Sequence, residues 1–210
     1  VAVIAIFAVV VGVGIWNWHN QPSFCGKVCH ESMNAYSSTF AQPANATGID
    51  KYGNKVSNTY AMMSISHQAN NIACLNCHVP TLKQQMGEVV ETLTSNYDVV
   101  PRVNGDGYAL KEVGDEELMV NSGHTPGSGD QFCLRSGCHE MTRADLTEKT
   151  KDMAWNPHSW QHENTPCSDC HKSHRASVFF CTECHPGALS SVPEGWVTFQ
   201  ESQATLPAGI

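Results

Sequence analysis

Residues 167–185 read CSDCHKSHRASVFFCTECH. Two Cys-x-x-Cys-His units, CSDCH and CTECH, stand in this short stretch. A third, CLNCH, ends at His78. Two stretched versions complete the set: CGKVCH at 25–30 and CLRSGCH at 133–139. The pairs are Cys25/Cys29 with His30, Cys74/Cys77 with His78, Cys133/Cys138 with His139, Cys167/Cys170 with His171, and Cys181/Cys184 with His185. All ten cysteines are accounted for.

Cys-x-x-Cys-His is the attachment pattern of haem c. Two thiols form thioethers to two vinyl groups on one porphyrin edge, and the adjacent His reaches the iron. One or two extra residues between the cysteines can loop out without moving the second Cys or its His. Zinc ribbons also use Cys-x-x-Cys pairs, but they do not require His directly after the second Cys. Disulfides at this spacing would be redox pairs, not a framework. Five covalently bound haems c are therefore expected, with all ten cysteines binding the cofactor.

Composition agrees. The chain has 210 residues, enough for one or two domains. It holds eleven histidines but only seven Phe and five Tyr, so something other than aliphatic packing must fill its interior. The haems themselves are expected to be the core. The fold class expected is mainly α: a loop-rich multihaem cytochrome c head with one N-terminal transmembrane helix.

VAVIAIFAVVVGVGI, residues 1–15, has no polar or charged side chain, and WNWHN follows. A spanning helix takes roughly 20 apolar residues. Trp16 and Trp18 suit a membrane–water interface. A signal peptide is the alternative. No A-x-A-like site precedes Cys25, so an uncleaved anchor is expected over 1–20 and a pentahaem domain over 21–210. Haem attachment belongs to the oxidising side of the membrane. The head is thus expected on the extracytoplasmic, periplasmic side of the cytoplasmic membrane.

Within the head, 31–41 reads as a short helix, 81–95 as a helix with Leu82, Met86, Val89 and Val90 on one side, and 141–154 as a helix capped by Thr142. Residues 42–60 and 98–108 read as loops, from their prolines and glycines. The tail after His185 reads as an extended segment. No strand pattern rises above this. The net charge of −8, deepened by haem propionates, argues against nucleic-acid binding. It suits a partner with a basic docking face.

Five irons need ten axial ligands. The motif histidines His30, His78, His139, His171 and His185 supply five. Five more are candidates: His67, His124, His158, His162 and His174. His19 is the weakest further candidate. Side chains three or four apart on a helix share a face. His171 and His174 are therefore expected on different irons, as are His158 and His162. His30 and Met33 are likewise three apart, so they compete for one side of the first haem. Met ligation raises a haem's potential.

FCGKVCHESM at 24–33 behind a single span, with Tyr36 downstream and ACLNCHVP at 73–80, resembles the NapC/NirT/NrfH family of membrane-anchored multihaem quinol dehydrogenases. The likeness covers roughly 1–95. It implies menaquinol or ubiquinol oxidation beside the membrane-proximal haem, with Met33 and Lys83 as quinol-site neighbours. This chain departs from the family in the longer first motif and in five motifs rather than four. HSWQHENTPCSDCHKSHRASVFFCTECH at 158–185 is similar to small tetrahaem cytochromes and to the haem domains of flavocytochrome c fumarate reductases. That likeness implies ligation by His158 or His162, or both, and by His174. It also points to a flavoprotein reductase as partner.

The function expected is electron transfer from the quinol pool to an extracytoplasmic acceptor, with no covalent bond made in a substrate beyond any quinol dehydrogenase activity. The rival is a pentahaem subunit of a large respiratory complex, similar to alternative complex III, whose quinol site lies in other subunits. A terminal reductase is disfavoured, because no clear distal catalytic set accompanies the motifs.

Overall fold

In the computed structural model, residues 2–19, 21–24, 26–27, 33–78, 81–112, 132–135, 137–162 and 165–210 are described. Helix α1, Ala2–His19, is built from the apolar run and is long and apolar enough to cross a membrane. None of its residues is buried by the rest of the protein. Its 18 residues span about 27 Å at 1.5 Å per residue, close to a hydrocarbon core of about 30 Å. At its C-terminal end Trp18 meets the Phe24 ring edge-on at 4.9 Å, next to the short α2 (Pro22–Phe24).

The helix expected over 31–41 is α3, Asn34–Phe40. The two stretches read as loops differ from expectation, because each holds a short antiparallel pair. In the first, β1 (Gly48–Ile49) pairs with β2 (Lys55–Val56). The turn between them is held by the Asp50 carboxylate, which accepts the Tyr52 and Asn54 amides at 2.8 Å each. Turn chemistry of this kind reads as loop in a sequence, while two-residue strands are too short for periodicity to register. In the second, β3 (Val99–Pro101) pairs with β4 (Tyr108–Leu110). Val100 and Ala109 face inward there, and Gly105 and Gly107 turn the chain at positive φ. The two hairpins dock through the Asn104 amide, which donates to the Tyr52 carbonyl at 3.1 Å. Gly53 sits at that contact with φ +84°, and a Cβ there would lie 1.8 Å from the Asn104 carbonyl oxygen.

Helix α4 (Met63–Gln68) follows a 3-10 turn at Thr59–Ala61, and α5 (Cys74–Cys77) is the second motif itself. Helix α6 spans Leu82–Thr94. Thr81 accepts the Gln84 amide, and Gln84 reaches back to the Thr81 amide, so a capping box starts it at the expected residue. Leu82, Met86, Val89, Val90 and Leu93 are exposed. Helix α7, Arg143–Lys149, is capped by Thr142 as read, but it ends before the expected 154.

The third part is knitted around the motif helix α8 (Cys167–Cys170). Strand β5 (Val178–Phe179) pairs in parallel with β6 (Val197–Thr198). The tail is more ordered than expected. It forms a 3-10 turn at Pro186–Ser191, then β6, then α9 (Phe199–Ala204) with a Thr198/Glu201 capping box. Ser177 fastens this part to the first: its hydroxyl donates to the Ala61 carbonyl at 2.6 Å.

Among the described residues, two small apolar clusters form the core. One gathers Ala35, Tyr52, Val100 and Ala109, and the other Val56, Met62, Ile65 and Ala176. The largest fully buried apolar side chains among the described residues are Tyr52, Met62, Ile65 and Val178. That is little apolar interior for a chain of this length, as the composition foretold.

Candidate cofactor-binding site

The cysteine motifs share one local geometry. In α5 and α8 the two cysteines stand three residues apart on a single turn, so both thiols face one side. The following His leaves the helix in an extended conformation, while its amide still donates to the first Cys carbonyl. The distance is 2.8 Å for His78 to Cys74 and 2.9 Å for His171 to Cys167. The fifth motif repeats this on a 3-10 turn, with His185 donating to Cys181 at 2.9 Å. In the stretched third motif His139 still donates to Cys133, at 3.2 Å, across two extra residues. The excess turns out through Gly137 at φ +81°. His139 thus keeps the amide contact to its first cysteine despite the longer spacing. Cys25, Cys29, His30 and His124 lie outside the described residues.

The motif cysteines differ in exposure. Cys74, Cys77, Cys133, Cys167, Cys170 and Cys181 are half-buried, whereas Cys138 and Cys184 are exposed. They are the second cysteines of the third and fifth motifs, and the histidines after them, His139 and His185, are exposed too. The reason lies in the local backbone. Cys138 follows Gly137, which turns the backbone at φ +81°. Cys184 ends a 3-10 turn, where three residues per turn place it over Cys181 at the outer edge of the fold.

Two of the described histidines beyond the motifs face motif histidines. His67, near the end of α4, faces His139 with ring centroids 6.0 Å apart and planes at 66°. His158 faces His171 at 6.3 Å with planes at 7°. Metal–imidazole bonds of about 2 Å put two opposed nitrogens about 4 Å apart and their ring centres about 6 Å apart. Both pairs have the separation that one iron between two imidazoles needs, and the donor set fits haem c. Among the described residues, no three His, Cys, Asp or Glu side chains converge as a bare metal ion would require.

Hydrogen bonds orient two of these rings. His67 Nδ1 lies 2.7 Å from the Met63 carbonyl, one helical turn back. A carbonyl only accepts, so Nδ1 carries the proton and Nε2 keeps its lone pair. His158 Nδ1 lies 3.3 Å from Thr150 Oγ1. That hydroxyl has two oxygen acceptors of its own, the Leu146 carbonyl at 2.8 Å and Asn156 Oδ1 at 2.7 Å. His158 is therefore the donor to Thr150, and again Nε2 is the free nitrogen.

Electrostatics favour neutral imidazoles. Burial, with His158 and His139 adding, pushes His171 down to about 4. Desolvation by the surrounding protein lowers His78, though the residue keeps an exposed edge. Burial with the Arg143 charge lowers His158. A ring that resists protonation keeps its lone pair for a metal. Burial, then the Asp169 charge and Cys181, push the Cys170 thiol up to about 11.

His174, three residues past His171, turns to a different neighbourhood. It lies against Tyr36 of α3, edge-on at 4.9 Å. Burial and then His78 push its imidazole down to about 3. The expected divergence of His171 and His174 is thus present in the structure, one facing His158 and the other lying near His78. His162 ends an exposed 3-10 turn. His185 stacks at 5.1 Å on Trp155. His19 sits at the end of α1 between Trp16 and Phe24. Met33 precedes α3, and Lys83 is exposed on the first turn of α6.

Beside His174 lies a half-buried ion cluster. Arg175 donates from Nε to Glu112 at 2.6 Å and from Nη2 at 3.2 Å. Lys51 and Lys172 approach the same carboxylate at 3.5 and 3.9 Å. Burial works against the Glu112 charge, yet Arg175 and the two lysines hold it down at about 2. Sequence reading missed this cluster, as it missed Thr150, Trp155 and the Trp196 edge 5.3 Å from His171. Nothing in local spacing announces them.

Comparison with known proteins agrees with the geometry. Residues 115–186 match the family model described as cytochrome c3. The chain is 45% identical over 202 residues to the cytochrome c-type protein Cgr1 of Eggerthella lenta, covering 96% of this chain and 87% of that protein. No solved structure matches.

Proposed function

The chain belongs to the c-type cytochrome family that includes Cgr1, and we propose that it is a membrane-anchored pentahaem member carrying electrons from quinol to an extracytoplasmic redox partner. Its class is electron transfer, with covalently bound haem c. The observation that carries the reading is the pairing of His67 with His139 and of His158 with His171, each at the spacing of two axial ligands. Haem c supplies a one-electron iron centre when bound.

The chain's residues have distinct roles in this reading. Cys74/Cys77, Cys133/Cys138, Cys167/Cys170 and Cys181/Cys184 each present two thiols for thioethers, and Cys25/Cys29 do so for the first haem. The exposure of Cys138 and Cys184 supports surface edges for the third and fifth haems, where electrons can pass to a partner. His78, His139, His171 and His185 are the motif ligands, with His30 or Met33 serving the first haem. His67, His124, His158, His162 and His174 supply the second ligands. Trp155 and Trp196 pack against ligating rings and restrict their rotation. Helix α1 holds the head at the membrane, on the side where haem is attached. Met33 and Lys83 border the quinol site there, as the likeness to quinol dehydrogenases implies. Oxidising a quinol releases two protons and two electrons, and the exposed Lys83 ammonium favours the anion that remains once the first proton has left.

A second reading makes the chain a subunit of a larger respiratory complex. The exposed apolar face of α6 (Leu82, Met86, Val89, Val90 and Leu93) favours a covering partner. The decisive experiment is reduction of the purified, haem-loaded protein by menaquinol and ubiquinol analogues, with spectra counting haems and high-spin sites. Quinol reduction by a small, isolated species is expected. Five low-spin haems with no quinol reduction overturn the main reading, and obligate co-purification with polytopic subunits selects the second.

A further inference from the structure

The segment 172–174 is held more tightly than a link between two ligands needs. Its three successive carbonyls each accept a backbone amide from the first half of the chain: Lys172 from Met63 at 2.9 Å, Ser173 from Ser64 at 3.1 Å, and His174 from Lys51 at 2.8 Å. The backbone of His174 is thereby fixed, and one side chain fixes its ring. Thr39, 1% exposed in α3, places Oγ1 2.9 Å from His174 Nδ1. The same Oγ1 lies 2.8 Å from the Tyr36 carbonyl, one turn back.

A threonine hydroxyl has one proton. The Tyr36 carbonyl can only accept, so the hydroxyl proton goes to it. The lone pair of Thr39 Oγ1 then faces His174, and Nδ1 of His174 must be the donor. This leaves Nε2 unprotonated. The Tyr36 ring, edge-on to the imidazole, closes the side next to Thr39. Tyr36 is itself tied down, its hydroxyl donating to the Leu110 carbonyl at 3.2 Å.

We propose that Thr39 is the positioning residue for His174, selecting the Nδ1–H tautomer, directing Nε2 to iron and strengthening the imidazole as a donor. This rests on the reading of His174 as an axial ligand. Metal-bound imidazoles generally donate the second ring N–H to a polar partner, and that bond raises ligand basicity. A more basic imidazole stabilises ferric over ferrous iron. Thr39 therefore lowers the potential of the haem that His174 serves. It also ties that haem's ligand to α3, the element that follows the membrane-proximal motif.

The test compares Thr39→Val, Thr39→Ser and His174→Ala in the full-length, haem-loaded protein. Thr39→Val keeps the shape and removes the acceptor. The expected result is an upward shift of one redox transition with the others unmoved. At that haem, cyanide affinity is expected to rise on the order of ten-fold as the native ligand loosens. Thr39→Ser is expected to restore both. Thr39→Cys, small and a weak acceptor, gives the same readouts where Thr39→Val does not accumulate. Unchanged potentials and cyanide affinity in Thr39→Val or Thr39→Cys, alongside a new high-spin haem in His174→Ala, overturn the role of Thr39 and leave His174 a ligand. His174→Ala with every haem still low-spin overturns the ligand reading itself.

Discussion

At the scale of single residues, ring orientation separates two sites of otherwise equal composition. His158 and His171 are nearly parallel, at 7°, whereas His67 and His139 stand at 66°. Parallel imidazoles split the iron d orbitals strongly, while crossed ones leave them nearly degenerate. The ferric protein is expected to show a rhombic low-spin electron paramagnetic resonance signal beside a highly anisotropic one. His158→Ala should remove the rhombic signal alone, and His67→Ala the anisotropic one alone. Loss of both in either variant would refute the pairing.

Glu112 makes a second residue-scale prediction. Its carboxyl is held from an ordinary 4.5 down to about 2 by Arg175, Lys51 and Lys172, with Tyr36 and Tyr52 also nearby. A depressed carboxyl stabilises the fold above its unfolded pKa, and that stability is lost as pH falls from about 4.5 towards 2. The shift corresponds to at most about 3 kcal/mol. Glu112→Gln is expected to destabilise the protein near neutral pH by an amount on this order, since it leaves three cations facing one another. It should also flatten acid unfolding between pH 4.5 and 2, as followed by circular dichroism. A wild-type acid slope retained in Glu112→Gln would assign the acid transition to other groups.

Among the elements, α6 and the third motif make the clearest claims. The Thr81/Gln84 capping box starts α6, and Thr81→Ala is expected to cost about 1 kcal/mol of local stability. Faster amide exchange in the first turns of α6, with α4 unaffected, would register it. Gly137 is needed for its backbone alone, since a Cβ there would meet nothing within 4 Å. Gly137→Val puts a β-branched residue at φ +81°, at a cost on the order of 1–3 kcal/mol. The strain falls next to Cys138, so lower haem occupancy at the third motif is expected, read by mass spectrometry as loss of one haem. Full occupancy would show that the loop accepts another path.

Over the whole molecule, the N-terminal apolar helix and the remaining described residues pack separately. α1 is apolar all round and buries nothing against the head, whereas the head's parts are cross-linked by Ser177, Asn104 and the carbonyls of 172–174. A chain lacking residues 1–20 is expected to leave the membrane fraction with its haem absorbance intact and to lose reduction by quinol analogues. Membrane retention of that chain would move the attachment to another surface, with the exposed face of α6 the first to test.

The sequence by itself determined the chemistry and its local frame. Covalent attachment needs two thiols and a His at fixed short spacing, so motifs such as CSDCH and CLNCH declare themselves wherever they fold. The divergence of His171 and His174 was expected from helical spacing, but 171–174 lies outside the helix, and backbone bonds from Lys51, Met63 and Ser64 to 172–174 set the direction of His174 instead. The caps Thr81 and Thr142 act within one turn, and they were readable for that reason. Only the tertiary structure decided which His faces which, because His67 and His139 are brought together by chain closure and not by any local preference. It also decided which motif thiols are enclosed and which, Cys138 and Cys184, stay at the surface, since burial depends on what distant segments pack above a turn. It alone brought Thr39 to His174, across 135 positions, and Glu112 to Arg175, across 63. It also revealed the short strand pairs inside the apparent loops. Such pairs draw their stability from hydrogen bonds and packing between segments, which no local pattern of side chains encodes.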